Sequence, residues 1–114
     1  MDHALLVAVG GALGAVVRYA VGELLASRRF PWATLAVNVL GSFVLGVILF
    51  GPVDGELTLL VGVGFCGAFT TFSSFSFQTV DLWDRGEPGK AALNAGSNLV
   101  ASVLAIALAW ILVG

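Results

Sequence analysis

The chain is poor in the residues on which aqueous chemistry usually rests. Its 114 residues include one cysteine and one histidine, so no intrachain disulfide can form and Cys66 has no companions for a His/Cys metal site. Cys66 reads instead as a small buried apolar residue. Charge is scarce: Asp, Glu, Lys and Arg make up 11% of the chain, against about 25% in ordinary soluble domains. No acid lies deep inside an apolar run, which excludes paired buried carboxylates, carboxylate proton relays and side-chain carboxylate cation paths. There is no Ser-His-Asp set, so no enzyme is expected, and no nucleic acid is expected as a partner. The three prolines, Pro31, Pro52 and Pro88, all fall between apolar runs, where proline belongs. The connecting segments are too short to hold a soluble domain, so any function must be built inside the runs themselves.

Apolar residues, by contrast, account for 59% of the chain, and the mean hydropathy is +1.03. Four stretches, 4–26, 32–50, 57–79 and 91–113, each supply the roughly 20 residues that cross a bilayer. The N-terminal stretch has no basic n-region and is too long for a signal peptide, so it reads as the first span. The expectation is a single all-α, four-span domain in the cell membrane.

The third stretch carries the sequence GVGFCGAFTTFSSFSFQT over residues 62–79. Gly62, Gly64 and Gly67 each weaken a helix by roughly 1 kcal/mol relative to alanine. Thr70, Thr71, Ser73 and Ser74 can hydrogen-bond the backbone groups that an unwinding sets free. A helix break near residues 67–71 is therefore expected, and in lipid it is tolerated only where protein, water or an ion satisfies the freed groups. Phe69, Phe72 and Phe75 follow at helical spacing with Ser73, Ser74 and Ser76 between them, so phenyl and hydroxyl stripes lie side by side.

The other runs carry few polar residues. Gly10 and Gly14 have the spacing of a close helix-packing face. Arg18, beside Tyr19, faces a cavity, a partner or an anion, or else snorkels to the interface. Thr34, Asn38 and Ser42 share one face of the second run, and Asn38 is either a link between helices or a donor to a solute moving through the bundle. Asn94, Asn98 and Ser102 repeat that spacing in the fourth run, with Asn94 and Ser97 near the membrane edge, where solvent can satisfy them. This inventory is rich in donors and lacks a carboxylate, which suits a small anion. Phenyl edges carry partial positive charge and suit one too, although a Phe stripe is also what a packed core needs.

Three blocks then become specific together: Gly10-Gly11-x-x-Gly14-Ala15-x-x-Arg18-Tyr19, Thr34-x-x-x-Asn38-x-x-Gly41-Ser42-Phe43, and the run from Gly64 to Ser76 with Thr70-Thr71-Phe72-Ser73-Ser74-Phe75 at its centre. In this order and across essentially the whole chain, they resemble the Fluc (CrcB) fluoride channels. The resemblance implies an antiparallel dimer with the broken third helices crossing at its centre and two fluoride pores. It implies a structural sodium ion held by the backbone carbonyls of Gly67 and Thr70. It assigns Phe72 and Phe75 to the pore, with Ser73, Ser74, Asn38, Asn98 and Ser102 as its polar lining and Arg18 in an aqueous vestibule. Ile106 departs from relatives that carry a further hydroxyl there. The function implied is passive export of fluoride, which lowers its toxicity. Two other classes remain as alternatives, a small structural or regulatory membrane protein and a small-multidrug-type transporter.

Charge adds a topological expectation. Arg28, Arg29, Arg85 and Lys90 lie in the first and third connectors, while the termini and the second connector have no Lys or Arg. The positive-inside rule puts the first and third connectors in the cytoplasm. A chain so biased is expected to pair with an oppositely oriented paralogue, or, alternatively, with itself.

Overall fold

The computed structural model describes residues 2–114. Among them there is no strand, and four helical segments are long and apolar enough to cross a membrane: His3–Leu24, Trp32–Phe50, Gly55–Asp84 and Pro88–Val113. The long axis of the bundle is 49 Å, comparable to the roughly 40–45 Å of a bilayer with its headgroups. We label the first two helices α1 and α2. The third is interrupted, giving α3 over residues 55–69 and α4 over Phe72–Asp84, and the last is α5, Pro88–Val113. Asp54 caps α3 by accepting from the Leu57 N–H at 2.8 Å, and Pro88 opens α5 at the first-turn position that costs no hydrogen bond.

The helices associate as two intimate pairs, α1 with α3 and α2 with α5, with α4 folded back along α5. Lipid offers no hydrophobic drive between apolar helices, so close backbone approach has to supply the contact. A Cβ at Gly10 would overlap the Leu60 carbonyl, and one at Gly14 the Phe65 carbonyl. Both glycines are buried, which confirms the packing face expected of their spacing. The α2–α5 seam is equally tight, since a Cβ at Gly46 would lie 2.7 Å from the Ala109 Cβ.

Within α3, residues Thr58–Cys66 form a π-helix. A run of nine π-helical residues is unusual, because π turns normally occur singly and often at functional sites. It lies between α1 and α2, with Gly64 against the α1 backbone at Val7 and Gly10 and Gly62 against Leu45 and Ile48 of α2. Cys66 is buried in it, as a small apolar residue should be.

The break itself falls at Thr70 and Thr71, both extended, with φ/ψ of −81/158 and −150/117. In a continuous helix the Thr71 N–H would return to the Gly67 carbonyl. Here it donates to Asn38 Oδ1 at 2.8 Å, while Asn38 Nδ2 donates back to the Thr71 carbonyl at 3.2 Å. One asparagine side chain thus replaces the helical partner that the Thr71 N–H loses and adds a second donor to the Thr71 carbonyl, which as the N-cap of α4 still accepts the first bond of that helix. The Thr71 hydroxyl then caps α4 by accepting from the Ser74 N–H at 3.1 Å, offsetting one orphan donor of the new helix start.

Candidate functional site

The asparagine that mends the break is the end of a directional chain of hydrogen bonds. Thr79 Oγ1 donates to the Phe75 carbonyl at 2.8 Å, and Asn94 Nδ2 donates to Thr79 Oγ1 at 2.9 Å. Asn98 Nδ2 donates to Asn94 at both its carbonyl, 2.9 Å, and its Oδ1, 3.0 Å. Asn38 Nδ2 donates to Asn98 Oδ1 at 2.9 Å. Each group donates in one direction along the chain, the arrangement in which successive bonds polarise one another. Asn94 is 0% exposed, which corrects the expectation that solvent satisfies it near the membrane edge. The fold of α4 against α5 buries it and supplies Thr79 and Asn98 as partners.

Three cavities surround the break. The first, about 350 Å³, is lined by Asn38, Thr70, Thr71, Phe72, Phe75, Asn98, Ser102 and Ile106 among others. Six of the residues singled out from sequence therefore meet in one place: Asn38, Thr70, Phe72, Phe75, Asn98 and Ser102. Their ring and amide groups are contiguous, with the Phe72 and Phe75 centroids 5.8 Å apart and tilted by 46°. The second cavity, about 400 Å³, brings together Arg18, Thr34, Thr71, Ser74 and Gln78. Thr71 lines both, so the broken segment is the wall between them. Gly67 lies in neither. It lines a third space of about 290 Å³ with Gly41, Ser42, Cys66 and Thr70. Ser73 is exposed on α4, its hydroxyl 3.3 Å from that of Thr71.

The second cavity has a distinct electrostatic character. Arg18 is its one charged lining residue, no carboxylate lines it, and among the described residues its guanidinium has no ion-pair or hydrogen-bond partner. The donors around the break divide in two groups. Both amide hydrogens of Asn38 and those of Asn98 are spent within the chain. The Thr34, Ser74 and Ser102 hydroxyls, the Gln78 amide and Arg18 are unspent, so an anion at these cavities meets three hydroxyls, an amide, a guanidinium and phenyl edges.

Sequence reading passed over Gln78, whose Oε1 is buried without a partner in the chain. An uncharged amide inside an apolar run was the available signal. The cavity beside it is polar and roomy enough for water to satisfy it. No cluster of three or more His, Cys, Asp or Glu side chains that could hold a metal occurs among the described residues.

Known proteins resemble this chain along most of its length. The family model described as CrcB-like protein, Camphor Resistance (CrcB), matches residues 5–110. The chain is 51% identical over 110 residues to Fluoride-specific ion channel FluC 2 of Haloarcula marismortui, covering 96% of this chain and 92% of that protein. It is 52% identical over 110 residues to Fluoride-specific ion channel FluC 1 of Halobacterium salinarum, with the same coverage of both. It is 48% identical over 106 residues to a Fluoride-specific ion channel FluC of Thermus thermophilus, covering 87% of this chain and 85% of the relative.

Proposed function

Because this chain belongs to the CrcB family, we propose that it is a subunit of a fluoride-selective channel in the membrane and that the two cavities flanking Thr71 are halves of its ion path. It is a multi-pass membrane protein and a channel, not an enzyme. Hydrogen fluoride crosses lipid as a neutral acid and dissociates in a less acidic cytoplasm, leaving fluoride trapped. A passive pore lets the ion leave down its electrochemical gradient, and no energy source is required.

The observation that carries this reading is the meeting of unspent donors and phenyl edges across one extended segment. Fluoride is strongly hydrated and has to exchange water for donors as it enters. Arg18 attracts it into the second cavity, where Thr34 and Ser74 offer hydroxyls. Past Thr71, the edges of Phe72 and Phe75 offer positive partial charge in a space with little else that is polar, and Ser102 provides the next hydroxyl. Asn38 and Asn98 hold this geometry, and each donates to the ion only by exchanging one bond within the chain.

Phe72 is 79% exposed in the single chain, so its ring completes a path only if another surface covers it. An antiparallel partner does so, as a second copy or an oppositely oriented paralogue. Loss of the helical Thr71 bond leaves the Gly67 carbonyl available, and the extended turn at Thr70 redirects its own. Oxygen ligands of this kind suit a hard cation such as sodium, and a twofold partner would double the two that one chain supplies. A bound cation would contribute fixed positive charge and a cross-link between the broken helices.

The test is fluoride release from liposomes holding the purified protein, alone and with any paralogous partner. Release comparable to that of a known relative is expected. If a relative conducts and this protein does not, its asparagine network is only a structural link and the channel reading fails. Cysteine labelling at Arg28→Cys addresses orientation: labelling from the cytoplasmic side alone is expected, and equal labelling from both sides defeats the one-way insertion inferred from the basic connectors.

A further inference from the structure

The backbone imposes a direction on the hydrogen bonds behind the helix break. An amide side chain can be turned end for end, so its orientation follows from its partners. Here three of those partners are backbone groups, whose roles as donor or acceptor are fixed. The Thr71 N–H can only donate, which turns the Asn38 oxygen toward it and leaves Asn38 Nδ2 to donate to Asn98 Oδ1 at 2.9 Å. The Asn94 carbonyl can only accept, which turns Asn98 Nδ2 toward Asn94 at 2.9 Å. The Phe75 carbonyl takes the Thr79 hydroxyl hydrogen at 2.8 Å, so Thr79 meets Asn94 Nδ2 with a lone pair. Asn98 reversed by itself would set its amide hydrogens against those of Asn38 and its oxygen against the two oxygens of Asn94. With Asn94 0% and Asn98 6% exposed, such a mismatch is costly.

This direction decides what the first cavity is offered. Asn98 lines it with Phe72, Phe75 and Ser102, yet both Asn98 amide hydrogens go to Asn94, at its carbonyl and its Oδ1. Asn94 and Thr79 line neither cavity beside Thr71. The Asn98-to-Asn94 bonds lie within α5 and join no two helices, so helix association does not account for them. An anion beside the rings meets the hydrogens of Asn98 only after a bond to Asn94 opens.

Building on the fluoride-channel reading, we propose that Asn94 and Thr79 are positioning residues for the ion path, which hold the Asn98 donors out of the first cavity so that fluoride is bound there weakly enough to leave. Conduction requires a site that admits an ion and also releases it. Free amide hydrogens beside the rings would favour entry at the expense of release. Thr79 orients Asn94, and Asn94 in turn keeps both hydrogens of Asn98 occupied.

The experiment measures fluoride release from liposomes over a range of internal fluoride concentrations, for the parent protein, Asn94→Leu, Thr79→Val and Thr79→Ser. Side-chain amide resonances of Asn38 and Asn98 are followed by NMR in micelles without fluoride. In Asn94→Leu one Asn98 hydrogen has no bond to give up, so the concentration for half-maximal release should fall at least about threefold and the maximal rate should fall with it. Thr79→Val keeps the side chain's shape and should shift both in the same direction by less, and Thr79→Ser should restore them. A lower maximal rate with an unchanged or higher half-maximal concentration is what a merely structural defect gives, and it would overturn the proposal. So would unchanged release in both Asn94→Leu and Thr79→Val, or a Thr79→Ser protein that behaves like Thr79→Val. Because successive bonds polarise one another, the Asn98 amide resonance should move in Thr79→Val although Thr79 bonds Asn94, and a resonance that stays in place opposes the role of Thr79. If Asn94→Leu does not assemble, Thr79→Val decides alone. If the parent itself releases no fluoride, the channel reading fails and the role in conduction with it, while the resonances still report whether the pair orients Asn98.

Discussion

Replacing Asn38 by Ala removes the one side chain that bridges the helix break to α5. Three hydrogen bonds disappear: to the Thr71 N–H, to the Thr71 carbonyl and to Asn98 Oδ1. Interhelical hydrogen bonds in membranes average about 0.6 kcal/mol by double-mutant cycles, so three give a floor of about 2 kcal/mol. Thr71 and Asn98 are both buried, and a buried group left without a partner costs roughly 1–3 kcal/mol, which lifts the upper end to about 5 kcal/mol where water does not reach. The adjoining cavity lets water reach part of this site, so the lower half of the range is expected, roughly a 30-fold loss in the folded-to-unfolded ratio at 2 kcal/mol. Unfolding in mixed detergent micelles, followed by tryptophan fluorescence, measures it. Asn98→Ala added to Asn38→Ala should cost less than the two single changes summed, because the Asn98 oxygen is no longer orphaned. A loss below about 0.5 kcal/mol for Asn38→Ala, with the break intact, would refute the claim that this side chain stands in for the missing helical bond of the Thr71 N–H.

Other outcomes follow from the same geometry. Phe72→Ile and Phe75→Ile keep most of the apolar volume and remove the ring quadrupole, so slower fluoride release from well-assembled protein is expected, and unchanged release would make the rings core rather than pore. Gly14→Leu drives side-chain atoms into the Phe65 carbonyl and should destabilise the bundle by about 1–3 kcal/mol or more. Gly96→Ala meets nothing within 4 Å and should be neutral or stabilising by up to about 1 kcal/mol in the same unfolding assay. Asp81→Asn breaks an ion pair whose side chains are 46% and 45% exposed, so a change of less than about 1 kcal/mol is expected, and a larger one would mean that the α4–α5 turn depends on it.

Composition and periodicity by themselves determined that the chain is helical and lies in lipid, because the bilayer permits so few arrangements of an unpaired backbone. They also placed the interruption of the third span, since three glycines followed by hydroxyls at 70–74 make continuous helix costly and a break satisfiable. Gly10 and Gly14 were legible as a packing face because nothing but glycine allows such backbone approach. Other features were decided only when distant segments met. Asn38 and Thr71 lie 33 residues apart, and no local pattern says that one amide will serve both backbone groups of the other. The same holds for Asn94, which looks solvated at the start of its helix and becomes buried because α4 turns back onto α5. The π-helical stretch packs against both α1 and α2, and no local pattern in the sequence announced its wider backbone. The separation of spent from unspent donors around the break is likewise tertiary. Hydrogen-bond capacity is a property of each residue, but its use depends on which partners the fold brings within about 3 Å.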